Sequence, residues 1–355
     1  MKAVALLSGG LDSSLAIRLM LDQGIEVLAL HFVTVFNRTA PKQSSLLAPL
    51  RVARQLGVPA KTLNFTHEQL AIVRNPAHGY GSNMNPCIDC HMAMLRRAAE
   101  LMPGAGASFL VTGEVLGQRP MSQRGFALGQ IGRETGLGGL ILRPLSAKLL
   151  PPTIPEKEGW VDRERLLDIR GRSRKPQLEL AARYGLTEHS SPAGGCLLTD
   201  PGFAARLRDL MDAGGGDPDL NDVHLLKVGR HFRLDPATKA IVGRVERENA
   251  TIYTFSRPGD LLLTTRDTPG PTTLLRGVLS EEHAGTAAAL TARYSRLREA
   301  PSVAIAVTAG RKVPRLACPA VATVGQPIVA LCDTTRVLDV APLDEDACQR
   351  LRIGD

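Results

Sequence analysis

Seven residues near the start of the chain, Ser8-Gly9-Gly10-Leu11-Asp12-Ser13-Ser14, combine the groups that hold a phosphate. Glycines let backbone N–H groups close around an anion, and the start of a helix adds partial positive charge. The hydroxyls of Ser8, Ser13 and Ser14 can donate to the phosphate oxygens, and Asp12 can hold a magnesium ion or orient the loop. The run has no Gly-Lys-Ser/Thr ending, which excludes a Walker-type loop. The plainer alternative is a Gly-rich turn in which Asp12 or Ser13 merely caps the helix.

Thiols form the second constellation. Asn85-Pro86-Cys87-Ile88-Asp89-Cys90-His91 places two cysteines three positions apart at the start of a helix, where the dipole is expected to favour thiolate. A third, Cys196, sits in the glycine-bearing run Ser191-Pro192-Ala193-Gly194-Gly195-Cys196. Both loops are expected to follow strands and to converge at the C-terminal edge of a sheet. Three thiolates suit a [4Fe–4S] cluster with one open iron, or a persulfide on one cysteine resolved by another. A zinc site would need a fourth ligand, for which His91 is the nearby candidate. Against these stands the ordinary use of cysteine as a small buried apolar residue. Cys318, Cys332 and Cys348 are assigned to that use.

These motifs need a scaffold. Lys2–Leu7, Ile25–Phe32, Ala60–Phe65, Ser108–Thr112 and Leu140–Arg143 read as strands. Between and after them, helices are expected over Ser13–Gln23, Ser44–Leu56, His67–Arg74, Cys90–Met102 and Lys175–Tyr184. The alternation predicts an α/β fold with a doubly wound parallel sheet. Ala213–Asp219, with three consecutive glycines, is the expected linker. Beyond it Ile241–Glu246, Thr251–Phe255, Leu261–Thr265 and Thr273–Gly277 read as strands, with one helix over Glu281–Glu299 and more β text from Val303 to Val340. The expected domains are therefore 1–212 and an α+β unit over 219–345.

Composition narrows the class. The 44% hydrophobic and 22% charged residues are those of a globular protein, and no run approaches the ~18 apolar residues of a membrane span. Six cysteines without an export signal point to a reducing, cytoplasmic setting. The 43 Lys and Arg outnumber the 35 Asp and Glu, giving +8 and favouring a polyanionic partner. With aromatics at only 4%, broad base stacking is not expected.

The heptapeptide resembles the pyrophosphate loop of the N-type ATP pyrophosphatases, the adenine nucleotide α-hydrolase-like enzymes that include the tRNA thiouridine synthetases. The resemblance implies cleavage of ATP between its α and β phosphates, with Ser8, Gly9, Gly10, Asp12, Ser13 and Ser14 on the phosphates. It also implies that Thr112-Gly113 contacts the nucleoside. Cys90 and Cys196 match the sulfur-handling thiols of the 2-thiouridine and 4-thiouridine synthetases, and Cys87 the extra thiol of the iron–sulfur-dependent branches. Gly113–Gln123 and Arg172–Gln177 resemble thiouridine-synthase text as well, so the likeness covers residues 1–200 almost continuously. The N-terminal RNA-binding domain of many 4-thiouridine synthases has no counterpart ahead of the loop, so RNA is expected to be held elsewhere. Lys227–Arg233 and Gly243–Ala250 resemble the NFACT-type RNA-binding domain, through roughly residue 340.

The expectation is an ATP-dependent tRNA sulfurtransferase that adenylates a uracil carbonyl oxygen and replaces it with sulfur, supplied as sulfide or as a cysteine-desulfurase persulfide. Asp12, Cys90 and Cys196 are its expected catalytic residues, and ATP, magnesium and a [4Fe–4S] cluster on Cys87, Cys90 and Cys196 its cofactors. Arg172, Arg174, Lys175, Arg230, Arg233, Arg244 and Arg247 are its expected RNA contacts. Two other readings share the sequence: adenylation with a nitrogen nucleophile, and an ATP-sensing RNA-binding module without catalysis. A methyltransferase lacks support, since no Gly-rich adenosylmethionine turn follows a strand.

Overall fold

The computed structural model describes residues 1–37, 48–188, 195–214, 218–310 and 336–354. The chain separates into two compact units, Met1–Thr199 and Asp200–Asp355.

In the first unit five parallel strands lie in the order β3-β2-β1-β4-β5. They are β1 (Lys2–Leu6), β2 (Glu26–Val33), β3 (Ala60–Asn64), β4 (Phe109–Val111) and β5 (Ile141–Leu142). Along β1 successive side chains take opposite faces. Ala3 and Ala5 join a core with Leu15, Val52 and Leu180 from helices α1 (Leu11–Leu21), α2 (Ala48–Leu56) and α7 (Lys175–Arg183). Val4 joins a second core with Leu95 and Ile131 from α4 (Cys87–Ala105) and α5 (Gly125–Glu134). Both faces are thus covered by helices, as a buried parallel sheet requires. The strand order reverses between β1 and β4, so the loops following those strands flank the crevice where such sheets bind ligands. Helix α3 (Thr66–Arg74) follows β3, and a short helix α6 (Ile154–Lys157) begins in the Pro-rich stretch after β5.

The second unit contains a six-stranded antiparallel sheet, ordered β11-β10-β8-β9-β7-β6. Its strands are β6 (Arg230–Asp235), β7 (Thr238–Val242), β8 (Leu261–Thr265), β9 (Thr272–Gly277), β10 (Val303–Ala309) and β11 (Arg336–Val340). Helix α11 (Glu281–Arg293) packs Ala284, Ala288 and Leu290 on one face. Helices α9 (Leu220–Leu225) and α10 (Glu246–Phe255) pack Leu225 and Ile252 on the other. Helices α8 (Pro201–Gly214) and α12 (Glu345–Leu351) complete the described elements.

Several expectations change. Thr251–Phe255 is not a strand but the second half of α10, whose first turn carries Glu246 and Glu248. Ser280 caps α11, which has company in α8, α9, α10 and α12. Helix α8 falls in the second unit, so the division lies ahead of the expected linker, of which residues 215–217 are outside the described residues. Positions 318 and 332 also lie outside them, while Cys348 is fully buried in the second core. No helix among the described residues is long and apolar enough to cross a membrane.

Candidate functional site

Strand β1 ends at Leu6, and α1 begins only five residues later, so the loop is short and its backbone is constrained. Gly9 takes a φ of +77°, and a Cβ there would stand 3.0 Å from Pro49. Gly10 occupies the N-cap with no side-chain cap, so neither Asp12 nor Ser13 fills that role. The hydroxyls of Ser13 and Ser14 both donate to the Gly10 carbonyl at 2.9 Å. The Ser8 and Ser13 hydroxyls are 3.1 Å apart, and the Gly10 amide donates to Ser8 Oγ at 3.3 Å. The loop is therefore folded around its own hydroxyls at the positive end of α1.

Gly113, at the end of β4, presses directly on this turn. A Cβ there would stand 2.5 Å from the Ser13 amide nitrogen and 2.6 Å from the Asp12 carbonyl carbon, so only glycine fits. Thr112 is buried and donates its hydroxyl to Glu114 Oε2 at 3.0 Å. In Asp12, Oδ2 accepts from Gln118 Nε2 at 3.1 Å, whereas Oδ1 is buried with no partner. A buried bare carboxylate oxygen is costly unless a cation or donor joins it, which suits a magnesium ion.

The thiols meet around Gln69, a buried residue of α3. Its Nε2 donates to Cys90 Sγ at 3.5 Å and to Cys196 Sγ at 4.0 Å, and its Oε1 has no partner. Cys87 opens α4 and Cys90 follows one turn later, its amide bonding to the Pro86 carbonyl. Cys196 pairs as an isolated bridge with Asn37, just beyond β2. The two cysteine segments follow helices α3 and α7 rather than strands, contrary to expectation.

The expected thiolates are also corrected. Burial pushes the Cys90 thiol up from 9.0 to about 12 and Cys196 to about 11, and it raises Cys87. Desolvation penalises the charged form more than a helix start favours it. Only Arg119, through its charge on Cys87 and Cys196, pulls in the other direction along with local hydrogen bonds.

Next to the thiols lies a charge cluster whose pairing is not visible in the sequence. Glu114 takes His91 Nδ1 at 3.0 Å on one oxygen and Arg143 Nε at 2.9 Å on the other. Burial alone would raise the Glu114 carboxyl, but Arg143 and then His91 outweigh it and hold it at about 2. His91 is thus engaged by Glu114. Among the described residues no group of three or more His, Cys, Asp or Glu is arranged to hold a metal ion. The three thiols supply a donor set of the right kind for a cluster, and they lie close enough for Cys90 to feel both Cys87 and Cys196.

The basic segment Arg172–Lys175 runs beside the Gly113–Gln123 tract, joined through the Gly171 amide and the Leu116 carbonyl at 2.8 Å. Arg172 and Lys175 are exposed, and Arg174 has a buried, unpartnered Nε. In the second unit Arg233 is held by Asp209 through two bonds of 3.0 and 2.7 Å, and Lys239 shares that carboxylate. Arg247 is exposed, Arg244 pairs with Glu248, and Arg230 stacks 4.5 Å above the Tyr294 ring.

The family model described as "Thiamine biosynthesis protein (ThiI)" matches residues 1–147, and "NFACT protein RNA binding domain" matches residues 229–320. A tRNA-specific 2-thiouridylase MnmA of Magnetococcus marinus is 31% identical over 138 residues, which are 34% of this chain and 37% of that protein. The namesake from Desulfitobacterium hafniense is 33% identical over 142 residues, 35% of this chain and 37% of the relative. A crystal structure of a 4-thiouridine synthetase–RNA complex with bound ATP is 28% identical, covering 41% of this chain and 37% of that one at a TM-score of 0.32. The matched segment spans little more than a third of the length of these relatives. The chain is thus similar to thiouridine synthetases over residues 1–147 and to NFACT-type RNA-binding domains over residues 229–320, the two resemblances that its motifs carry.

Proposed function

We propose that the chain is an ATP-dependent tRNA sulfurtransferase, a thiouridine synthase. The observation that supports this best is the placement of two consecutive residues. Gln118 bonds to Asp12 of the phosphate loop, while the charge of Arg119 acts on Cys87 and Cys196. Consecutive residues of one tract thus bear on the loop read as the adenylation site and on the thiols read as the sulfur site, which supports the reading.

In this reading the loop amides and the N-terminus of α1 bind the ATP phosphates. Asp12 would hold the magnesium ion that accompanies ATP, which neutralises phosphate charge. A uracil carbonyl oxygen attacks the α phosphorus, pyrophosphate leaves, and the carbon then bears AMP as a leaving group. Thr112 and Gly113 border the nucleoside. Placing sulfur beside that carbon in a partly dry site lowers the barrier through proximity.

Sulfur passes through Cys90 and Cys196, the two thiols that share Gln69. One carries a persulfide whose terminal sulfur displaces AMP. The other then attacks the inner sulfur, giving a disulfide and the thiocarbonyl. A cellular thiol must reduce that disulfide between turnovers. Cys87, Cys90 and Cys196 would be the residues to hold a [4Fe–4S] cluster, whose open iron would supply a site for exogenous sulfide; no step is derived through it. RNA is gripped by Arg172, Arg174 and Lys175 in the first unit and by Arg230, Arg244 and Arg247 in the second, through phosphate contacts. Arg233, bound to Asp209, is withdrawn from that set.

The test is pyrophosphate release and thiouridine formation by the full chain with ATP, a sulfide or persulfide donor and unmodified tRNA. Release that depends on tRNA, followed by thionucleoside in the digested RNA, is expected. Release without sulfur incorporation under any donor would favour a nitrogen nucleophile, and no release at all would leave an ATP-sensing RNA binder.

A further inference from the structure

The second unit contains a cavity of about 140 Å³ lined by Arg206, Arg230, His231, Arg244 and Arg352, together with residues 229, 353 and 354. We propose that it takes one phosphate group of an RNA chain, an assignment that rests on RNA binding by this protein.

The four arginines come from α8, the start of β6, the segment after β7 and the end of α12, so only the fold assembles them. Phe232 of β6 bridges to Arg352, and the Ile353 amide donates to the His231 carbonyl at 2.9 Å. Those bonds lay the C-terminal segment along the sheet edge. Gly354 then packs so closely on α8 that a Cβ would stand 3.0 Å from the Gly202 carbonyl oxygen.

The charges do not balance without a ligand. Glu248 is spent on Arg244, accepting from its Nε and Nη2 at 2.5 to 3.1 Å. Arg206 makes no ion pair among the described residues, and its Nε is buried without an acceptor. Arg230 is supported by the face of Tyr294 instead of a carboxylate. Burial and then the positive charge of Arg244 draw Arg206 below its ordinary value, outweighing the carboxylates of Asp200 and Glu248, and Arg230 feels Arg244, Arg352 and Glu248 as well. Crowding four guanidinium groups with too few carboxylates costs stability, and a multiply charged oxyanion removes that cost through charge-assisted, bidentate bonds. The cavity has room for a tetrahedral phosphate.

Filter binding of the full chain to tRNA at several salt concentrations tests this with Arg206→Met and Arg352→Met, residues with no part in the proposed chemistry. Each is expected to weaken binding roughly tenfold and to flatten the log–log salt slope by ~0.7 to 0.9, the loss of one phosphate contact. Arg206→Lys, which keeps the charge, should recover part of the affinity, and melting curves on each variant guard against unfolding. Oligoribonucleotides with a 5′-phosphate or a 5′-hydroxyl distinguish the source. Loss of the variant effect with the hydroxyl form assigns the pocket to a terminal phosphate, and its persistence assigns a backbone phosphate. Strong binding with unchanged affinity and slope in both folded methionine variants overturns this pocket alone. A wild-type chain without RNA affinity overturns the RNA reading beneath it.

Discussion

Gln118 Nε2 donates to Asp12 Oδ2 at 3.1 Å, while the other oxygen of the same carboxylate is buried without a partner. The amide fixes the carboxylate in one orientation and leaves one oxygen for a cation. Asp12→Asn is expected to reduce tRNA-dependent pyrophosphate release by roughly a hundredfold or more, as loss of a preorganised charged group does, with the circular dichroism spectrum unchanged. Gln118→Ala should retain more activity but demand a higher magnesium concentration. Undiminished release from Asp12→Asn would remove that residue from the mechanism.

Gly113→Ala adds a single methyl group where the backbone of α1 stands 2.5 Å away. Overpacking of this kind costs ~1 to 3 kcal/mol and shifts the backbone. The loop is the softer partner, so weaker ATP binding is expected together with a lowered melting temperature. Calorimetric titration with ATP checks it, and wild-type affinity in the variant would refute the contact.

For the thiols, Cys90→Ser and Cys196→Ser should each end sulfur incorporation while sparing ATP binding, whereas Cys87→Ser should retain a measurable rate. Complete loss in all three variants, coupled to loss of iron and of a broad visible absorption from anaerobically prepared protein, would instead show a cluster held by three thiolates.

Thiol titration gives a pH prediction with a definite sign. With Cys90 raised from 9.0 to about 12, the thiolate population near neutrality is about a thousandfold below that of an ordinary thiol. Alkylation of Cys90 should be slow at pH 7 and keep rising tenfold per pH unit beyond pH 9, where an ordinary thiol levels off. Stability carried by the buried neutral thiol is full below pH 9 and is lost as pH climbs toward 12. Mass spectrometry of timed iodoacetamide reactions reads this, and a plateau near pH 9 would contradict it.

Arg143→Met should destabilise the first unit by ~3 to 5 kcal/mol, because it leaves Glu114 buried with one partner fewer. Glu114 is held near 2 in the fold, against 4.5 as a free side chain. The stability it carries is therefore full above pH 4.5 and falls as pH drops toward 2. Urea unfolding of wild type and Arg143→Met at pH 7 and pH 3 should show the gap between them narrowing in acid.

The strand–glycine–helix turn over residues 8–14 was legible because its information is local: a strand, two glycines and a helix start lie within a dozen residues. Thr251–Phe255 misleads for the opposite reason. Its β-branched and aromatic residues favour a strand, yet Ile252 is buried against the sheet as part of a helix, and tertiary packing overrides propensity. The acidity of the thiols misleads in the same way, since a helix start is visible in sequence and burial is not. Gln69, Glu114 and Arg143 escape notice because their partners lie 21 to 127 residues away. Arg206 and Arg352 are farther apart still and share no motif.

The adjacency of Gln118 and Arg119 makes the tract from Gly113 a ruler. Its zero mark is the contact of Gly113 with α1, and its two graduations fall on the phosphate loop and on the thiols. An inserted or deleted residue between positions 113 and 118 would move both graduations at once and leave every chemical group intact but out of step. In the proposed reaction the spacing itself, apart from the identity of any side chain, would keep activation and sulfur delivery in phase on one substrate atom.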